Sequence, residues 1–177
     1  LTRTQLRQRI GHFTTGGEKI HVSVEATGLA GMMRECGRLA DEQGVELYVV
    51  GGLVRDALLG RPNDDVDLVV AGGEAIDFAR ILHKHLGDPK EKVVSHEAFH
   101  TAIVTLKTGL KVDVATARLE YYPTPASLPV VERSSLLMDL SRRDFAINAL
   151  ALHLNTSRFG ELVDHFNGRQ DLQQRTV

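Results

Sequence analysis

One stretch limits the folds open to this chain more than any other. Glu46 to Val50 is a short apolar run. It meets Gly51-Gly52, passes into the helix-period segment Leu53–Leu59, and reaches Asp64-Asp65-Val66-Asp67 at the mouth of a second apolar run, Val66–Ala71. Strand, glycine turn, helix and strand in so few residues put the turn and the acids close together. Glycines let a backbone approach a ligand, and a helix start offers free N–H groups to an anion. Arg55 can fork onto a phosphate. On a strand, Asp65 and Asp67 project to one face, and two carboxylates so placed repel unless a cation lies between them. Oxygen ligands of this kind suit magnesium. Taken singly, the glycines read equally as a tight turn, and the acids as a solvated turn after Pro62-Asn63.

The rest of the chain is mixed. Leu29, Met32, Met33, Cys36, Leu39 and Ala40 give Ala26–Gln43 a helical period, which Gly44 ends. Glu74–Leu86 is an amphipathic helix stopped by Gly87. Thr101–Leu106 and Leu110–Ala115 form a hairpin about Thr108-Gly109. Pro123, Pro125 and Pro129 make 121–129 loop, and Tyr121 to Val131 has no periodic apolar face to bury, so it is expected to be mobile. Ser134–Leu140 is helical, Asp144–Leu150 is a helical turn into a strand over Leu150–Leu154, and Glu161–Phe166 is a short strand before a last helix. Helices mixed with hairpins argue for α+β. Thr2–Ile10 reads as a short helix and the Thr14–Gly17 region as a linker, so residues 1–25 form an appendage and 26–177 the domain.

Two further polar signals stand out. Asp113 is a lone acid in the apolar strand Lys111–Ala115. It serves either as a third ligand or base, or as an outward acid paired with Lys111. Ser141-Arg142-Arg143-Asp144-Phe145-Ala146-Ile147-Asn148 sets arginines, an acid and an amide inside an apolar region. Arginine suits triphosphate oxygens, and aspartate and asparagine suit ribose hydroxyls. An ion-paired helix cap explains the same stretch.

Composition removes several classes. Cys36 is the only cysteine, which excludes a disulfide framework and a Cys-ligated zinc site and fits a reducing, cytoplasmic setting. No apolar run approaches a membrane span. The net charge of -2 excludes a globally basic nucleic-acid coat but leaves room for a local basic cleft. Arginines outnumber lysines 15 to 6, which suits forked phosphate recognition.

In this order, Gly51-Gly52-Leu53-Val54-Arg55-Asp56, Asp65-Val66-Asp67, Asp113 and Arg142-Arg143-Asp144-Phe145-Ala146-Ile147-Asn148-Ala149 resemble the head domain of the tRNA nucleotidyltransferase and poly(A) polymerase family, bacterial type (class II). The resemblance runs from about Glu46 to Val177. It implies a polymerase-β-type nucleotidyltransferase fold, a small mixed sheet with helices packed on one side. It implies attack of an RNA 3′-hydroxyl, most simply the tRNA 3′ end, on the α-phosphate of ATP or CTP, with loss of pyrophosphate. By the same resemblance Asp65 and Asp67 hold two Mg2+ ions, ~3.5–4 Å apart in such sites, and Asp113 is a third catalytic acid. Gly51, Gly52 and Arg55 hold the nucleotide, Arg143 meets its phosphates, and Asp144 and Asn148 read the ribose. Ala146 departs from the usual threonine. Base choice and the grip on tRNA belong to neck, body and tail domains, with the neck starting near Val177, so the head alone is expected to bind CTP and ATP alike. The start Leu1-Thr2-Arg3-Thr4-Gln5-Leu6 resembles the closing strand and helix of a CBS domain, which tilts the reading toward A addition. A poly(A) polymerase, a transferase acting on a small molecule and a non-catalytic nucleotide-binding module remain as alternatives.

Overall fold

The computed structural model describes residues 28–121 and 130–176. The first helix, α1 (Leu29–Gln43), ends where Gly44 turns left-handed at φ 67°. Strand β1 (Glu46–Val50), helix α2 (Gly52–Leu58), strand β2 (Val66–Ala71) and helix α3 (Ala75–Leu86) follow. Then come β3 (Val94–His96), β4 (Thr101–Thr105), β5 (Lys111–Thr116), β6 (Arg118–Tyr121), β7 (Val130–Arg133), α4 (Leu136–Ser141), β8 (Leu150–His153), β9 (Leu162–Asp164) and α5 (Gly168–Gln174). The seven-stranded sheet runs β3-β4-β5-β2-β1-β8-β9, and β6 and β7 form a separate ribbon. Among the described residues only β2 and β5 pair in parallel, and the other pairs are antiparallel. The mixed α+β architecture is the expected one.

Period-two alternation gives the sheet two apolar faces. Leu47 and Val49, Val66, Leu68 and Val70, Val112 and Val114, and Leu150 and Leu152 face α1 and α3 and make the main core. Tyr48, Val50, Val69, Ala71 and Ala151 face the other way and meet Leu136 and Leu140 of α4. The main helices thus pack on one side, as expected, while short α4 covers part of the second face. The uncovered part of that face is where Asp67 and Asp113 lie.

Two features tie α1 to the far strand. Gly37 lets the helix approach so closely that a Cβ there would sit 1.9 Å from the Leu154 carbonyl oxygen. Asn155 accepts from the Leu47 N–H at 2.8 Å and donates to Asp41 Oδ1 and the Val45 carbonyl, each at 2.8 Å.

Several expectations need correction. β3 was not anticipated: its three residues are all exposed on a sheet edge and show no apolar pattern. Tyr121, Val130 and Val131, assigned to an unpaired mobile segment, belong to the β6–β7 ribbon, because backbone pairing there needs no buried face. Residues 122–129 lie outside the described residues, as do Thr2–Ile10, the Thr14–Gly17 linker and the start of the expected helix at Ala26. The strand expected over Glu161–Phe166 stops at Asp164, whose carboxylate accepts from the Gly168 and Arg169 N–H groups at 2.9 and 3.0 Å and so starts α5.

Candidate active site

A cleft of about 580 Å³ opens on the second sheet face. Its floor carries Asp67, Asp113 and Thr101, and its wall carries Arg118, Arg142, Arg143, Asp144 and Asn148. The parallel ladder places Asp67 directly opposite Asp113, so residues distant in sequence share a face and a register position. Asp65 lies one residue before β2, with its N–H held by Asn63 Oδ1 at 2.8 Å. It does not line the cleft, but its charge reaches both floor carboxylates. Among the described residues no three His, Cys, Asp or Glu side chains converge into a metal-holding cluster. The acids that meet at the cleft are coupled by charge.

Their electrostatics follow from that crowding. Burial first, then Asp65 and Asp113, hold the Asp67 carboxyl above its ordinary value of 3.8, while Arg143 pulls it down. Asp113 is raised by burial first and then by Asp65, with Lys111 opposing. Lys111 therefore acts on Asp113, as one of the two sequence readings held, yet Asp113 still joins the cleft. A carboxyl whose pKa rises on folding binds its proton more tightly in the folded chain. It favours folding below 3.8, and that contribution is lost as pH rises through the folded value. At neutral pH the pair therefore costs stability. Without divalent cations, Asp67→Asn is expected to raise the melting temperature near neutral pH, and the gap should shrink as the buffer is taken down toward 3.8. Thermal melts across that range check this, and equal melting near neutrality would refute it.

The glycine turn stands between acids and arginine. Gly51 has φ +76°, and a Cβ on it would lie 2.9 Å from Arg143 Nη1 and 3.9 Å from Asp67 Oδ2. Any side chain there would be strained and would push into the gap between the two charges. Gly52 faces Asn63 and Arg55 at ordinary contact distance. Arg55 does not line the cleft. It forks onto Asp56 through Nε and Nη2, both at 3.0 Å, and its Nη1 donates to Asn148 Oδ1 at 2.6 Å. Asp56 in turn accepts from Asn63 Nδ2 at 2.7 Å. A single relay of hydrogen bonds thus links the helix after the glycines, the turn before the acid strand and the Asn148 side chain.

On the opposite wall, Arg143 is loosely committed. Its Nη1 donates to the Asn148 carbonyl at 3.5 Å, its Nη2 lies 3.5 Å from Asp139 Oδ2, and its buried Nε has no hydrogen-bond partner. Asp144 is exposed at the rim. Ala146 sits in a single 3-10 turn, and a Cβ at Gly168 would come within 2.2 Å of its carbonyl, so α5 packs closely on this turn.

The structure therefore gathers Asp67, Asp113, Gly51, Arg143, Asp144 and Asn148 about one cleft, with Asp65 at its edge and Arg55 and Gly52 behind it. Asp56, Asn63, Arg118 and Asp139 were given no role from sequence, and Arg142 only the general one of an arginine suited to phosphate. Asp56 and Arg142 stood inside the motifs. Asn63 and Arg118 had no pattern of their own, and Asp139 sat in a helix read only for its apolar residues.

Comparisons with known proteins agree in their coverage. Residues 47–177 match the family described as the poly A polymerase head domain. An A-adding tRNA nucleotidyltransferase of Geobacter sulfurreducens is 51% identical over 146 residues, which is 82% of this chain and 16% of the relative. One from Halalkalibacterium halodurans is 43% identical over 141 residues, covering 80% of this chain and 32% of its own length. The apo form II structure of a CCA-adding enzyme superposes with a TM-score of 0.75 at 49% identity, over 82% of this chain and 34% of that one. The chain spans about a third or less of the length of each of these relatives.

Proposed function

The chain belongs to the poly A polymerase head-domain family, and from that premise we propose that it is the catalytic head of a template-independent nucleotidyltransferase that adds AMP or CMP to the 3′ end of tRNA. The observation that carries this is the Asp67–Asp113 pair on the cleft floor, facing Arg143 across Gly51. A triphosphate needs both sides. Cations must be held against its oxygens by carboxylates, and donors must take up the charge that develops as pyrophosphate leaves.

The acids fit a hard divalent cation. Asp67 and Asp113 are oxygen donors held above the ordinary carboxyl value by burial and then by the Asp65 charge, and such an ion takes carboxylate oxygens together with phosphate oxygens and water. Asp65 and Asp67 would hold Mg2+, with Asp113 as the third carboxylate; the ions would activate the attacking hydroxyl and draw charge from the leaving group. Arg143, whose Nη1 and Nη2 are held only by contacts of 3.5 Å, would turn to the phosphates. Asn148, fixed by Arg55, and Asp144 at the rim would meet the ribose hydroxyls. Gly51 keeps the approach between them open. In this reading residues 26–177 form the head and 1–25 an appendage, and the protein works in the cytoplasm.

Addition of A alone is supported by A-adding relatives at 51% and 43% identity, and addition of all of CCA by a CCA-adding enzyme at 49%. The test uses the complete protein with labelled nucleotides. A tRNA ending in CC should gain one residue from ATP, and a tRNA lacking CC should gain none from CTP. Extension of the shorter tRNA by CTP would make it a CCA-adding enzyme. Extension of neither tRNA by either nucleotide would overturn the proposal.

A further inference from the structure

The carboxylate that organises the arginine wall has been given no role by its motif or its chemistry. Asp139 on α4 is fully buried, at 0% exposure. Its Oδ1 accepts from Arg142 Nε at 3.2 Å and Nη2 at 3.0 Å, and from the Arg118 N–H at 3.4 Å. Its Oδ2 makes no hydrogen bond and faces Arg143 Nη2 at 3.5 Å. The spacing on the helix produces this: Arg142 and Arg143 follow Asp139 by three and four residues, so both return to the same side of α4. One oxygen is saturated and the other is nearly idle.

We infer that Asp139 is a positioning residue that divides the two arginines into an anchored one and a swinging one. Arg142 is fixed by two charge-assisted bonds to a buried partner, which hold the end of α4 and the backbone of Arg118 in place. Arg143 feels the same negative charge at longer range. It is kept in the cleft, pointing past Gly51, without being captured. When a triphosphate arrives, Arg143 exchanges one long contact for phosphate oxygens, and Asp139 keeps Arg142 from following it. The inference rests on the reading that Arg143 meets the phosphates.

The experiment measures equilibrium affinity for ATP and for AMP in the complete protein, across Asp139→Asn, Arg143→Ala and the double variant. Asp139→Asn should weaken ATP about tenfold and AMP by less than about twofold, and should add nothing in the Arg143→Ala background. A merely structural role would weaken both ligands, or weaken ATP additively with Arg143→Ala; either result overturns the inference, as does an unchanged ATP affinity. If Arg143→Ala itself leaves ATP affinity intact, the phosphate-binding reading fails instead, and with it the premise. A second measurement needs no variant. In the natural protein the Arg142 guanidinium should be rigid by NMR relaxation and the Arg143 guanidinium mobile, with Arg143 becoming rigid when ATP is added. Equal rigidity of both before ATP would also overturn the inference.

Discussion

Asp67→Asn in the complete protein should reduce nucleotide transfer by roughly 10^3-fold or more while the protein stays folded. The substitution keeps the size of the side chain and removes one charge from the cleft floor. It leaves Asp113 facing an amide across the parallel ladder, a poorer ligand for a hard cation. The same change removes a half-buried charge that folding must desolvate beside Asp65 and Asp113, so stability without metal should go up as activity goes down. Opposite signs from one substitution are what a site built for charge, rather than for packing, should give. Single-turnover transfer with ATP and a melting curve on the same sample check both halves. Transfer within about tenfold of the natural protein would remove Asp67 from the mechanism.

Gly37→Ala should destabilise the domain by about 3 kcal/mol, lowering its melting temperature by roughly 10 °C. Helix propensity alone predicts the reverse, a gain of about 1 kcal/mol from replacing glycine inside a helix. The contact decides the sign. The new Cβ would lie 1.9 Å from the Leu154 carbonyl oxygen and 2.7 Å from its carbon, and backbone atoms of a core strand end cannot step aside as a flexible side chain can. Denaturant unfolding of the domain reads the value directly. A stabilised variant would mean that α1 can withdraw from the sheet at little cost.

The two positions mark where sequence was informative and where it was silent. Strands β1 and β2 and the main helices were legible because apolar periods and glycine stops coincide along them. Asp67 was legible because an acid opening an apolar strand conflicts with its surroundings. Its partnership with Asp113 was not, since nothing local says that β2 and β5 lie side by side in parallel. Arg55 shows what a motif leaves out. It pointed to the ligand, and the structure adds that Asp56 and Asn148 take up most of its donors, so that it holds another side chain. Gly37 looked like an unremarkable helical residue, because close approach depends on a strand end more than a hundred residues away. β3 and the β6–β7 ribbon escaped because edge and ribbon strands bury too little to leave a pattern.

The strand order also bears on how the chain is made. β1 lies between β2 and β8, and Tyr48 pairs with Val69 on one side and His153 on the other. During synthesis β2 follows after one short helix and a turn, but β8 emerges far later. Until then one edge of the apolar segment Leu47–Val50 has no partner, which exposes the nascent chain to wrong pairing. Arg142, Arg143, Asp144 and Asn148 arrive just ahead of β8, so the phosphate wall and the closing strand are delivered together. A chain cut short before residue 142 would carry all three carboxylates without Arg142 or Arg143, and an open sheet. Such a product is a substrate for quality control rather than a half-working site.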